Sequence, residues 1–93
     1  MSDYCTARIA VTGMVQGVGF RWFVVRNAEK LRVTGWTRNR FDGSVEIVAE
    51  GTRSQIEALI KEVSVGPRMA SVSDVHVEWQ RYEGIYASFE VRF

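Results

Sequence analysis

The chain has 93 residues, a formal net charge of +1, 46% hydrophobic side chains and 25% charged ones. This near-average globular composition excludes a disordered or fibrous chain, and the length predicts one domain over residues 1–93. No apolar run approaches the ~20 residues needed to cross a bilayer, and a net charge this small argues against a general nucleic-acid or membrane binder.

No basic start followed by an apolar stretch reads as a signal peptide. One cysteine, Cys5, and one histidine, His76, are too few for an internal disulfide or a structural zinc site. The expectation is a reduced, cytoplasmic, monomeric protein without metal or cofactor. The charge is unevenly placed: residues 1–40 carry seven Lys or Arg against two acids, residues 41–93 five against nine. Ten of the twelve bases are arginine, whose planar fork matches phosphate or carboxylate oxygens. That skew gains meaning only if the N-terminal half offers a place for an anion.

In chain order, Ala7-Arg8-Ile9-Ala10-Val11-Thr12 alternates and predicts a first strand. A glycine-punctuated loop follows from Gly13 to Gly19. From Phe20 the period changes: Phe20, Phe23, Val24, Ala28 and Leu31 make one apolar face of a helix. Gly35 to Arg40 and Ser44 to Glu50 read as two strands joined by a tight turn at Asp42-Gly43. Thr52 is an N-cap with Gln55 closing a capping box, and Ile56, Leu59, Ile60 and Val63 form the stripe of a second helix, stopped by Gly66-Pro67. Val75, Val77 and Trp79 alternate in a fourth strand, and Phe89, Val91 and Phe93 in a short last one. The order is β-α-β-β-α-β plus a C-terminal strand. This predicts an α+β, ferredoxin-like two-layer sandwich, with two helices on one face of a mostly antiparallel sheet.

The segment with most chemical content is Gly13-Met14-Val15-Gln16-Gly17-Val18-Gly19-Phe20-Arg21. Three glycines between a strand and a helix let the backbone curl until N–H groups converge. The helix start adds unpaired N–H groups and a positive dipole end, so the segment suits an anion. Arg21 puts a guanidinium beside it. By spacing alone, glycines that merely turn the chain are about as good a reading. The segment is neither a Walker loop nor a dinucleotide fingerprint, which would need Gly-Lys-Ser/Thr at its end or a third glycine where Trp22 stands.

Asn39 ends the second strand, on the face of Thr37. Read from its residues alone, it is expected to cap the turn. If the second strand lies antiparallel beside the first, an offset or a bulge is needed to bring Asn39 to Arg21. Trp22 is expected half-buried on the helix flank, with the alternative that it edges a pocket. His76 is expected on the surface, Cys5 frayed or partly packed, and Trp36 and Trp79 on sheet faces. Glu46, Val48 and Glu50 share the second face of the third strand. That acidic face would repel phosphates and argues against an RNA-binding sheet.

Gly13 to Arg21 resembles the signature of the acylphosphatase family, and GWTRN from Gly35 to Asn39, with Asp42-Gly43-Ser44-Val45 and Glu50-Gly51, is similar to its second signature. The resemblance spans nearly the whole chain. It implies a small metal-independent enzyme that hydrolyses acyl phosphates to carboxylate and inorganic phosphate. It further implies that the phosphate sits on the backbone of Val15, Gln16, Gly17, Val18, Gly19 and Phe20 and is gripped by Arg21. Asn39, by the same resemblance, positions the attacking water beside that loop. The implied ligands are a small acyl phosphate and, as product-like anions, inorganic phosphate or sulfate. Two rival readings are a noncatalytic anion-binding module and an acylphosphatase-like domain serving a carbamoyl-transfer system. Since the chain ends at Phe93, a free-standing enzyme is expected. Thr37 stands where a small apolar residue is usual, Arg32 where glycine is common, and Arg68 where a second proline is frequent. Thr37 should cost little if its hydroxyl finds a partner, and Arg32 should suit the C-terminal end of the helix dipole.

Overall fold

The computed structural model describes residues 3–93. The elements are β1 (Tyr4–Met14), α1 (Phe20–Lys30), β2 (Thr34–Asn39), β3 (Val45–Thr52), α2 (Arg53–Val65), β4 (Ser71–Arg81) and β5 (Phe89–Arg92). All seven predicted elements are present, and β1 and β4 are longer than the alternation suggested. Their outer residues complete hydrogen-bonded ladders in which Cys5 faces Arg81 and Met14 faces Ser71. Backbone pairing extends a strand past the point where its side chains stop alternating.

The five strands lie in the order β4-β1-β3-β2-β5. All pairs are antiparallel except β2 and β5, which run parallel. Helix α1 lies over β2 and β5, and α2 over β1, β3 and β4. Between sheet and helices, Ala7, Ile9, Val11, Val45, Ile47 and Ala49 meet Phe20, Val24, Ala28, Ile56, Leu59 and Val63, all buried. Val25, absent from the predicted stripe, is buried as well.

One expectation about the sheet is corrected. Strand β2 is not beside β1, because β3 lies between them and pairs antiparallel with both. Two reversals leave β1 and β2 pointing the same way, so both end at the same edge of the sheet. Val11, Val45 and Asn39 fall in one row of the ladder, about 10 Å across. No bulge is needed to bring Asn39 near the loop that follows β1.

The opposite face of the sheet is a second correction. Glu46 and Glu50 are buried, not a displayed acidic surface. The Glu46 carboxylate accepts from Arg8 and, at 2.8 Å, from Arg38. The Glu50 carboxylate accepts from Thr6 Oγ1 at 2.9 Å and from the backbone N–H groups of Glu83, Gly84 and Ile85 at 3.0 to 3.2 Å. These last three belong to the connection that carries the chain from β4 at one edge to β5 at the other. A buried carboxylate needs its oxygens filled, and here the filling holds that crossover down.

The departures from the resembled pattern are accommodated locally. Thr37 is fully buried and donates its hydroxyl to the Glu46 carbonyl at 3.0 Å. Arg32 does more than complement a dipole. It follows Leu31, the C-cap of α1, in the left-handed region, with φ of 60°, and it is the one non-glycine residue there among those described. The Arg32 N–H donates to Glu29 and the Val33 N–H to Ala28, the paired bonds that close a helix C-terminus. The pattern favours glycine at this position because a Cβ costs about 1–2 kcal/mol in that conformation. Arg68 is exposed just beyond α2.

Candidate active site

Loop 15–19 climbs from the end of β1 to the start of α1. Gly17 and Gly19 take φ of 73° and 75°, left-handed conformations that side-chain-bearing residues resist. A Cβ built on either would meet nothing within 4 Å, so the backbone there borders open space. Gly19 is the N-cap of α1 and provides no side-chain bond. The first helical bond runs from Phe23 N–H to the Gly19 carbonyl at 3.1 Å. The N–H groups of Phe20, Arg21 and Trp22 therefore lack intrahelical partners, as helix geometry demands. No acidic residue in the first turn covers them.

These elements enclose a hollow of about 210 Å³ lined by Val15, Gly17, Gly19, Phe20, Arg21, Trp22 and Asn39. Arg21 and Asn39, 18 positions apart in sequence, thus share one wall. Of the loop residues expected to bear a phosphate, Gln16 and Val18 do not line the hollow. Val18 packs partly on the core. The Gln16 side chain turns the other way and donates to the carbonyls of Arg40 at 2.7 Å and Ser44 at 2.9 Å. It ties the loop to the β2–β3 turn.

Asn39 does not cap that turn. Asp42 does so, accepting at one oxygen from the N–H and the hydroxyl of Ser44 at 2.9 and 2.6 Å. These bonds, with the charge of Arg40, hold the Asp42 carboxyl below its ordinary range. The Asn39 carboxamide, half-buried, makes no hydrogen bond among the described residues. Trp22 also departs from expectation, with 61% of its surface exposed at the rim of the hollow.

The parallel pairing of β5 with β2 brings the chain end to this same edge. Phe89 and Val91 pair with Gly35 and Thr37 and share their face, so Phe93, one alternation further, continues toward α1. The Arg21 guanidinium lies 4.9 Å from the centre of the Phe93 ring and 3.5 Å from the Arg92 carbonyl. Arg21 forms no ion pair among the described residues. This support was not among the sequence expectations, although the alternation of Phe89, Val91 and Phe93 carried the signal. A wider groove of about 820 Å³ adjoins the hollow at Asn39, with Gln16, Arg38, Arg40, Phe41, Asp42 and Phe93 around it.

Elsewhere, His76 is exposed as expected and Cys5 is half-buried. Burial pushes the Cys5 thiol above its ordinary 9.0, more than the Arg53 charge lowers it. No helix among the described residues is long and apolar enough to cross a membrane.

A hollow of glycine backbone, a guanidinium without an ion pair and a carboxamide without a hydrogen bond among the described residues give the two sequence signatures a common geometry. The sequence model of the acylphosphatase family matches residues 7–91. This chain belongs to the acylphosphatase family. It is 47% identical over 92 residues to an acylphosphatase of Anaeromyxobacter sp. (strain Fw109-5), covering 99% of each chain. The crystal structure of an acylphosphatase from Bacillus subtilis superposes with a TM-score of 0.93 at 38% identity, covering 96% of this chain and 99% of that one. Full-length HypF, solved in a phosphate- and nucleotide-bound form, matches with a TM-score of 0.87 at 27% identity. All of this chain is covered there, but only 12% of HypF. Acylphosphatases are hydrolases of acyl phosphates, and the architecture seen here is that of the family.

Proposed function

We propose that this acylphosphatase works as a free-standing single-domain enzyme, residues 1–93, with its substrate's phosphoryl group in the hollow between the 15–19 loop and Asn39. The observation that carries this reading is that Arg21, with no carboxylate partner among the described residues, and Asn39, with no hydrogen bond among them, stand on the walls of one hollow whose floor is open glycine backbone. Near full-length agreement with a stand-alone relative favours the free-standing form over a domain of a larger carbamoyl-transfer enzyme.

The backbone N–H groups of the loop residues that line the hollow, Val15, Gly17, Gly19 and Phe20, and the Arg21 guanidinium spread the charge of the phosphoryl oxygens. An acyl phosphate carries a good leaving group, so no general acid is required. Asn39 holds a water in line with the bridging P–O bond, and proximity supplies part of the acceleration. The water oxygen bonds to phosphorus, the bridging bond breaks toward the carboxylate, and the proton passes to phosphate or to solvent, because a neutral amide is a poor base.

The test is turnover of benzoyl phosphate, with and without a chelator, by the wild type and by Asn39→Ala. Turnover is expected to survive the chelator. Asn39→Ala is expected to lower kcat by about 10²-fold while inhibition by inorganic phosphate stays near the wild-type level. Phosphate binding without any turnover would instead make the chain an anion-binding module. Wild-type turnover in Asn39→Ala would remove Asn39 from the mechanism.

A further inference from the structure

An exposed indole on the rim of a phosphoryl site has no structural task of its own. Trp22 is 61% exposed, and no hydrogen bond or ring contact engages it among the described residues. Its neighbours have other places: Phe20 is buried in the core, and Arg21 lies against Phe93 beside the hollow.

The direction of attack gives Trp22 a place. In an in-line displacement the incoming water and the departing oxygen lie on opposite sides of phosphorus. Asn39 stands at the end of β2, on the sheet side of the hollow. The wider groove by Arg40 and Phe41 adjoins it there, so that groove is the side from which solvent arrives. The acyl group must then leave on the side away from the sheet. Successive helix residues turn by about 100°. With Phe20 directed into the core, Trp22 two positions later points roughly opposite, away from the sheet, while still lining the hollow.

We propose that Trp22 is the acyl-group platform of this enzyme, a specificity-determining residue whose indole face receives flat, apolar acyl groups such as benzoyl in preference to acetyl. The proposal rests on the placement of the phosphoryl group and of the Asn39-held water given above. An aromatic ring on an indole gains from both area and ring geometry, and the gain persists in the transition state because the acyl carbon skeleton does not change as the P–O bond breaks.

The experiment compares kcat/KM for benzoyl phosphate and acetyl phosphate in the wild type, Trp22→Ala, Trp22→Phe and Phe41→Ala. Trp22→Ala is expected to lower the benzoyl-to-acetyl ratio roughly three- to ten-fold, with inorganic-phosphate inhibition little changed. Trp22→Phe should restore most of the ratio, and Phe41→Ala should keep the wild-type ratio. An unchanged ratio in Trp22→Ala, or a fall in Phe41→Ala instead, overturns the proposal while leaving the hydrolase reading intact. Failure of the wild type to turn over either substrate overturns the functional reading and this proposal together.

Discussion

Helix α2 closes its own N-terminus, whereas α1 leaves its N-terminus open. At α2 the Thr52 hydroxyl accepts from the Gln55 N–H at 3.2 Å, and the Gln55 carboxamide accepts from the Thr52 N–H at 2.9 Å. At α1 the cap is Gly19, which offers neither group. Each helix carries an arginine in its first turn, where the dipole mildly disfavours a cation. The two are treated differently. Arg53 stacks on Trp79 at 3.7 Å and pairs with Glu57 at 3.3 Å. Arg21 meets one aromatic ring and one carbonyl, and no carboxylate among the described residues. The same sequence elements are structural when their polar groups are spent within the chain, and available for a ligand when they are not. The buried acids of the open sheet face make the same point, since Glu46 and Glu50 have all their partners inside the fold.

The largest effect that could break this contrast lies at the two arginines. Arg21→Ala should slow acyl phosphate turnover by about 10²- to 10³-fold, the scale for losing one transition-state donor, and weaken inhibition by phosphate. Arg53→Ala should keep wild-type turnover and cost less than about 1 kcal/mol of stability, because its ion pair is exposed. Steady-state kinetics with phosphate inhibition separates the two, and equal losses would dissolve the distinction.

The caps sharpen the comparison at a smaller scale. Thr52→Ala should destabilise the fold by about 1 kcal/mol in urea unfolding without altering kcat, since the α2 cap serves only its own helix. At the far end of α1, Arg32→Gly should raise stability by about 1 kcal/mol by relieving the left-handed strain, again with unchanged turnover.

A change in slope is the subtlest expectation. Burial pushes the Glu46 pKa up, but the hydrogen bond and charge of Arg38, with the charges of Arg8 and Arg40, outweigh it and hold the carboxyl below its ordinary 4.5. A group lowered in the folded state adds stability above its unfolded pKa and loses it as pH falls through the folded value. Thermal stability should therefore fall as the pH drops below the ordinary value of 4.5. Glu46→Gln should melt lower at neutral pH but show a shallower acid decline. Melting curves from about pH 7 to about pH 3 check this, and an acid limb as steep as the wild type's would assign it to other carboxylates.

Periodicity placed all seven elements, and the Thr52–Gln55 box, because these features depend on residues within a turn or two of each other. The two family signatures were likewise legible as short strings. Strand neighbours were not, because alternation records which face a residue occupies and not which strand lies beside it. Setting β3 between β1 and β2 decided that Asn39 and the loop share an edge. Parallel pairing of β5 decided that Phe93 reaches Arg21. The fate of charged groups was also tertiary: alternation put Glu46 and Glu50 on the outer face but could not show the partners that arrive from distant segments. Local residue order was thus enough for the backbone of each segment, including a glycine loop able to curl and a helix without a side-chain cap. Which polar groups are consumed inside the protein and which stay available to a ligand was set by the packing of the folded chain, because that balance depends on contacts between segments far apart in sequence.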